Sequence, residues 1–285
     1  MLNFRYHALS LVAVFLALVI GLLLGVAIGD RGLVSSAEHD VRASLREDVR
    51  RAQDERDAAR SQLRERAAFE QEAYPALVGR RLEGMQVALI ELGGGSTRMW
   101  DLTRDALEGS GGKLVAVAAI REPLDLGQLA AAAHGTRYER LVRDESLLHA
   151  FGTRLGIQLT RGGRLLDAVR HALIGQASGT LGAADGVVLV RGGGELDDDD
   201  ATRVEAFEDG LVRGLRAHDV PVVGVETADA DPSQIGWFAA HELSSVDDLD
   251  DPIGRAALVF ALAGQRGSFG VKATADGGRL PPILP

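Results

Sequence analysis

The chain has 285 residues, a formal net charge of −10 and no cysteine. The missing cysteines exclude disulfides, thiolate metal sites and cysteine nucleophiles. The acidic balance argues against nucleic acid as a partner.

From Ala8 to Gly29 no residue carries a charge. As a helix rising about 1.5 Å per residue this stretch spans roughly 33 Å, against a hydrocarbon core of about 30 Å. It reads as a membrane anchor that places residues 8–29 in a lipid bilayer, with residues 1–32 as the anchor segment. A cleaved signal peptide is a competing reading, although the apolar run exceeds the usual length of about 7–15 residues and the positive start is thin. A buried core helix is the third. Gly21, Gly25 and Gly29 form two overlapping Gly-x-x-x-Gly patterns, which suit close packing of membrane helices or serve as ordinary membrane-helix filler. Arg5 on one side and Arg31 and Arg42 on the other leave the orientation open.

Residues 33–79 have a different texture. Ser35 or Ser36 is placed to cap a helix beginning near Ala37, and no Pro or Gly interrupts the chain from there to Phe69. Leu45, Val49, Ala52, Ala59 and Leu63, with Arg56 and Arg66 filling slots, follow the 3-4 spacing of a coiled-coil seam. Pairs such as Glu47–Arg51 support the helix locally. The segment reads as a coiled-coil stalk through which copies of the chain form a homo-oligomer, or as a lone solvated helix. Pro75 and Gly79 are expected to end it.

Residues 80–270 alternate short apolar runs with helical stretches. Strands are expected at Gln86–Leu92, Lys113–Ile120, Gly186–Val190 and Val220–Val225, and a further one near Trp237–Ala240. Helices are expected near residues 97–107, 124–133, 138–155, 165–177, 198–217 and 253–263. Continuous apolar strands between helices indicate an α/β fold, a Rossmann-like parallel sheet with helices on both faces. A Gly/Pro-rich tail, 271–285, closes the chain.

Two strands end in glycine triplets, Gly93, Gly94, Gly95 and Gly192, Gly193, Gly194. Such turns at the carboxyl ends of strands can admit a phosphate at a helix N-terminus, so they are weak cofactor-binding candidates. The dinucleotide fingerprint fails, because Arg98 stands where its third glycine belongs. Arg98 also breaks a nucleophile elbow around Ser96, which reads better as a helix cap. Glu122 follows the second strand, where an acidic residue can meet a ribose. His241 and Glu242 are adjacent acid-base groups with no nucleophile to serve, so no catalytic residue is assigned and no enzyme is expected.

The histidines are His7, His39, His134, His149, His171, His218 and His241, and none pairs with another at a metal-ligand spacing. Met85 and Met99 are the internal methionines. Copper(I) favours cysteine and methionine sulfur, so the sequence holds no local copper site, and a site drawn from distant histidines stays open. Asp197–Asp200 could hold a hard cation loosely, and suits a solvated helix start better. Asp247, Asp248, Asp250 and Asp251 are candidates for loose binding of a hard cation. No cofactor is assigned.

The two ends of the chain resemble a known family. Arg5-Tyr6-His7 and Leu9-Ser10-Leu11-Val12-Ala13-Val14-Phe15-Leu16-Ala17-Leu18 at the start are similar to the mycobacterial copper-transport protein B (MctB) family of actinobacteria. So are Ser245-Val246-Asp247-Asp248-Leu249-Asp250 and Leu280-Pro281-Pro282 at the end. The resemblance implies a cell-envelope protein of copper transport and homeostasis, with copper as the transported ion, the outer membrane as a location and a channel as a role. It carries over no copper-binding residue. The strands read as the core of a soluble domain rather than a β-barrel, so the expectation is a single-pass anchor with an exported α/β domain.

Overall fold

The structure, a computed structural model, describes residues 4–28, 32–192 and 194–282. It divides into two compact units, Met1–Ala67 and Ala68–Pro285. The first holds α1 (Phe4–Ile28) and the greater part of α2 (Gly32–Val78). Within α1, Tyr6–Ala27 is long and apolar enough to cross a membrane, and none of it is buried against protein. Gly29, at the end of the expected anchor, lies outside the described residues.

The expected bounds of the second helix need correction. α2 begins at Gly32, so Ser35 and Ser36 lie inside it rather than at its cap. It also runs through Pro75 to Val78. A proline inside a helix forfeits one backbone hydrogen bond, and packing supports that last turn. The Tyr74 hydroxyl donates to the Ala106 carbonyl at 2.7 Å, and Val78 is wholly buried.

The second unit is a seven-stranded sheet: β1 (Gln86–Leu92), β2 (Lys113–Ile120), β3 (Ile174–Gly179), β4 (Gly186–Arg191), β5 (Val222–Val225), β6 (Ser244–Val246) and β7 (Ser268–Phe269). Their order is β3-β2-β1-β4-β5-β6-β7. All neighbours are parallel except β3, which runs antiparallel to β2. The helices are α3 (Thr97–Leu107), α4 (Leu126–Ala132), α5 (Leu148–Arg161), α6 (Arg164–Leu173), α7 (Asp198–Leu215), α8 (Ile235–Ala240) and α9 (Pro252–Leu262). Alternate residues of the strands feed two cores. Ala88, Ile90 and Leu92 pack with α4 to α8, whereas Val87 and Leu89 pack with α3, α9 and the end of α2. Fully buried side chains such as Phe151 and Phe207 each contribute about 1.5–3 kcal/mol by leaving water.

Polar residues set the helix starts. Ser96 caps α3 by accepting from the Met99 amide at 3.4 Å. Asp197 caps α7 through the Asp200 amide at 2.8 Å, which places the acidic run where a helix dipole favours it. Asp251 caps α9, and Pro252 opens that helix where its missing donor costs nothing.

Three expectations fail. Trp237–Ala240 is part of α8, not a strand, and from that helix the Phe238 ring packs against Gly224 of β5, where a Cβ would lie 2.4 Å from it. The helix expected over 165–177 stops at Leu173, and Ile174–Gly179 turns into the antiparallel edge strand β3. The stretch from 138 to 155 opens as two short 3-10 turns, with regular helix only from Leu148.

Candidate functional site at the carboxyl edge of the sheet

From β1 the chain steps outward through β2 to β3. It then returns to the other side of β1 and runs through β4 to β7. The direction reverses between β1 and β4, which is where ligands bind in open α/β sheets. The two glycine triplets are the turns that leave these two strands. The Gly192 amide donates to the Leu92 carbonyl at 2.8 Å, and the Gly93 amide donates to the Ile120 carbonyl at 3.2 Å.

This closeness accounts for several of the glycines. A Cβ on Gly192 would lie 2.9 Å from the Leu92 oxygen. One on Gly95 would lie 2.8 Å from Gln176 Oε1 and 3.1 Å from the Ala119 methyl. Gly93 has φ +80° and faces Glu122 Oε2. Only Gly94 and Gly194 border open space, and Gly193 lies outside the described residues.

The helix N-terminus beside the first turn already holds a carboxyl group of the protein itself. Glu91 interrupts an apolar strand on the face that α3 covers, and it is fully buried. Its carboxylate accepts from the Ser96 amide at 3.0 Å and from Trp100 Nε1. Burial pushes this carboxyl up, and the Trp100 and Ser96 donors pull it back. A phosphate directed to α3 would meet that carboxylate. A glutamate inside an otherwise apolar run was the signal that the sequence offered for this arrangement.

Across the switch point, Arg191 at the end of β4 reaches the fully buried Glu208 of α7, Nε lying 2.9 Å from Oε1. It also donates to Gln234 Oε1 at 2.6 Å and lies over the Trp237 ring. Glu122 stands near this pair. Its carboxyl is pushed up to about 8, first by burial and then by the Glu208 charge, with Arg191 opposing. Its Oε1 is buried without a hydrogen-bond partner. Glu122 thus lies beside two tight turns with one carboxyl oxygen unpartnered, and among the described residues Asp248 Oδ1, after β6, is the other buried carboxylate oxygen without a hydrogen-bond partner.

These features span the length of a known family. The sequence model for the family described as copper transport outer membrane protein, MctB, matches residues 1–279.

The chain belongs to the MctB family. It is similar to the copper transporter MctB of Mycobacterium tuberculosis, strains CDC 1551 / Oshkosh and ATCC 25618 / H37Rv, with 27% identity over 297 residues. The same figures hold for the copper transporter MctB of Mycobacterium bovis, and each match covers 92% of this chain and 92% of the relative.

For a family named for copper, two histidines of the second unit are held by carboxylates. His241 Nε2 lies 2.7 Å from Asp209 Oδ1, and its Nδ1 lies 2.8 Å from the Trp237 carbonyl. Its neighbour Glu242 turns instead to Arg216, so the two do not form one acid-base site. His134 pairs with Glu139. Met85 and Met99 both belong to the core shared with α3 and α9. Among the described residues no three His, Asp or Glu side chains converge as a metal site requires.

The carboxylates after β6 hold the C-terminal segment. Asp247 accepts from the Val271 and Lys272 amides at 2.7 and 3.0 Å. Asp248 and Asp251 both take Arg279. Asp250 accepts from the Ala228 amide and pairs with Arg98. Lys272 Nζ lies 2.6 Å from Glu226 Oε1 and donates to the Ala230 carbonyl at 2.8 Å. These partners lie more than twenty residues away in sequence, and no local motif marks them.

Proposed function

We propose that this chain is a membrane-anchored cell-envelope protein of copper transport and homeostasis, with copper as cargo and no enzymatic activity. The observation that carries this reading is the family match over residues 1–279. The apolar α1 supports the anchor, with residues 8–29 in the bilayer and the α/β domain exported. One helix encloses no lumen, and the sheet is covered by helices on both faces. A channel role therefore needs several copies of α1 or a partner in the membrane.

The direct test is cellular copper content in a strain lacking the protein, with and without the full-length chain restored. Raised copper that returns to normal on complementation supports the reading. Unchanged copper removes it.

A second reading has its own support. The carboxyl edge is filled by the protein's own carboxylates and cations. That favours an envelope scaffold whose α/β domain docks a protein or small ligand over an enzyme. A thermal-shift screen with nucleotides tests the enzyme alternative, and stabilisation by any of them would restore it.

A further inference from the structure

α2 presents apolar side chains that nothing in its own unit covers. Leu45 is 61% exposed, Val49 49% and Leu63 65%. With Ala52, Arg56 and Ala59 they alternate steps of four and three, the spacing of one seam on a helix. We propose that this seam is covered by the same seam of a second copy, giving a parallel, in-register pair of α2 helices.

Three observations choose this occupant. The first is charge complementarity. In a parallel pair the flanking position of Glu55 faces the flanking position of Arg60 on the other helix, which is the arrangement that sets register. Second, the seam carries Leu45 at one core position and β-branched Val49 at the next, the order that favours two strands.

The third is the treatment of Arg56, which would oppose its own copy at the core. Its guanidinium donates to Asp57 Oδ1 at 3.1 and 3.0 Å, so it is drawn to the flank with its charge compensated. The direction rests on the anchored reading above. Chains that enter one membrane through α1 start their α2 helices from the same side, and only parallel pairing then aligns the seams. From Leu45 to Leu63 the seam is about 27 Å long. That is short for a stable coiled coil, and confinement to one membrane supplies the effective concentration that such a seam needs.

The natural absence of cysteine makes the test clean. Leu45→Cys, Val49→Cys and Asp54→Cys are placed singly in the full-length chain in membranes and treated with a short bis-maleimide. Asp54 lies on the face opposite the seam. The expected result is a covalent dimer at Leu45→Cys and Val49→Cys, at several times the yield at Asp54→Cys. Equal yield at all three positions would mean random collision and overturn the pair. So would absence of linkage, or linkage only in mixtures of Leu45→Cys with Leu63→Cys, which marks antiparallel helices. Light scattering of the unlinked protein should give the mass of two chains, and a larger or smaller mass overturns the pair. Alkaline extraction of the same membranes reports the anchor separately, so failure of one reading is not mistaken for failure of the other.

Discussion

Glycine serves opposite purposes in the two units. On α5, Gly152 and Gly156 face α7, where a Cβ would run into the Phe207 and Leu211 carbonyl oxygens. On α7, Gly210 and Gly214 would collide in the same way with His149 and Thr153. In α1, Gly21 and Gly25 have nothing within 4 Å. The same contrast holds for leucine. Leu155 and Leu211 are fully buried, whereas Leu22 in α1 is 71% exposed and Leu45 in α2 61%. The second unit closes on itself, whereas the first leaves the apolar side chains of α1 and α2 exposed, surfaces that the proposals above assign to a bilayer and to a second α2 helix.

Substitutions at these positions can break that comparison. The largest effect is expected at the α5–α7 crossing. Gly152→Val or Gly210→Val pushes a branched side chain into backbone, at a cost at or above the usual overpacking range of about 1–3 kcal/mol. Urea unfolding of the full chain should show an earlier midpoint or an unfolded protein. An unchanged midpoint would mean that the helices are not this close.

Next comes Glu208→Ala, which strands the half-buried Arg191. Breaking a buried pair costs about 3–5 kcal/mol, and the water that reaches Arg191 lowers that to roughly 2–3 kcal/mol. A loss within experimental error would contradict the buried pairing.

Asp247→Ala removes the acceptor of two backbone amides, worth about 1–3 kcal/mol. The effect should be local, with faster protease cleavage between Val271 and Arg279 before the sheet unfolds. Cleavage at the wild-type rate would show that the segment is held by other contacts.

Glu122→Gln acts through pH. The carboxyl is raised from 4.5 to about 8 in the folded chain. Across that window the folded protein keeps a proton that the unfolded chain has released, so stability falls as pH rises. Glu91, Glu208 and Asp248 are also raised, chiefly by burial, and add in the same direction. The glutamine variant should therefore lose less stability than the wild type between about pH 5 and about pH 8. Parallel losses would mean that Glu122 ionises freely. The smallest effect is expected for Gly21→Ala, which should leave unfolding of the α/β domain unchanged.

What the sequence disclosed follows the same division. β1, β2, β4 and β5 lie where the apolar runs are, broken within β1 only by Glu91, because buried parallel strands are apolar on both faces. β3, Ile174-Gly-Gln-Ala-Ser-Gly179, is an edge strand exposed over most of its length, and its polar residues hid it behind the helix before it. β6 and β7 are too short to show a period. The glycine triplets were legible as turns, yet their meeting across β1 and β4 depends on strand order, which no local pattern encodes. The Ser96 cap was readable because donor and acceptor are three residues apart. Arg191–Glu208 and Lys272–Glu226 were not, because the first joins a strand to a helix and the second joins two loops that only the fold brings together.

The measurement that tests the account most directly is fractionation of cells expressing the full-length chain, followed by an alkaline wash of the membranes and sizing of the retained protein. The account predicts that the chain stays in the washed membranes at full length, and that a chain lacking residues 1–32 leaves with the soluble fraction. A full-length chain released by the wash, or a mature chain that has lost the apolar stretch as a signal peptide, would contradict a unit built to face a bilayer.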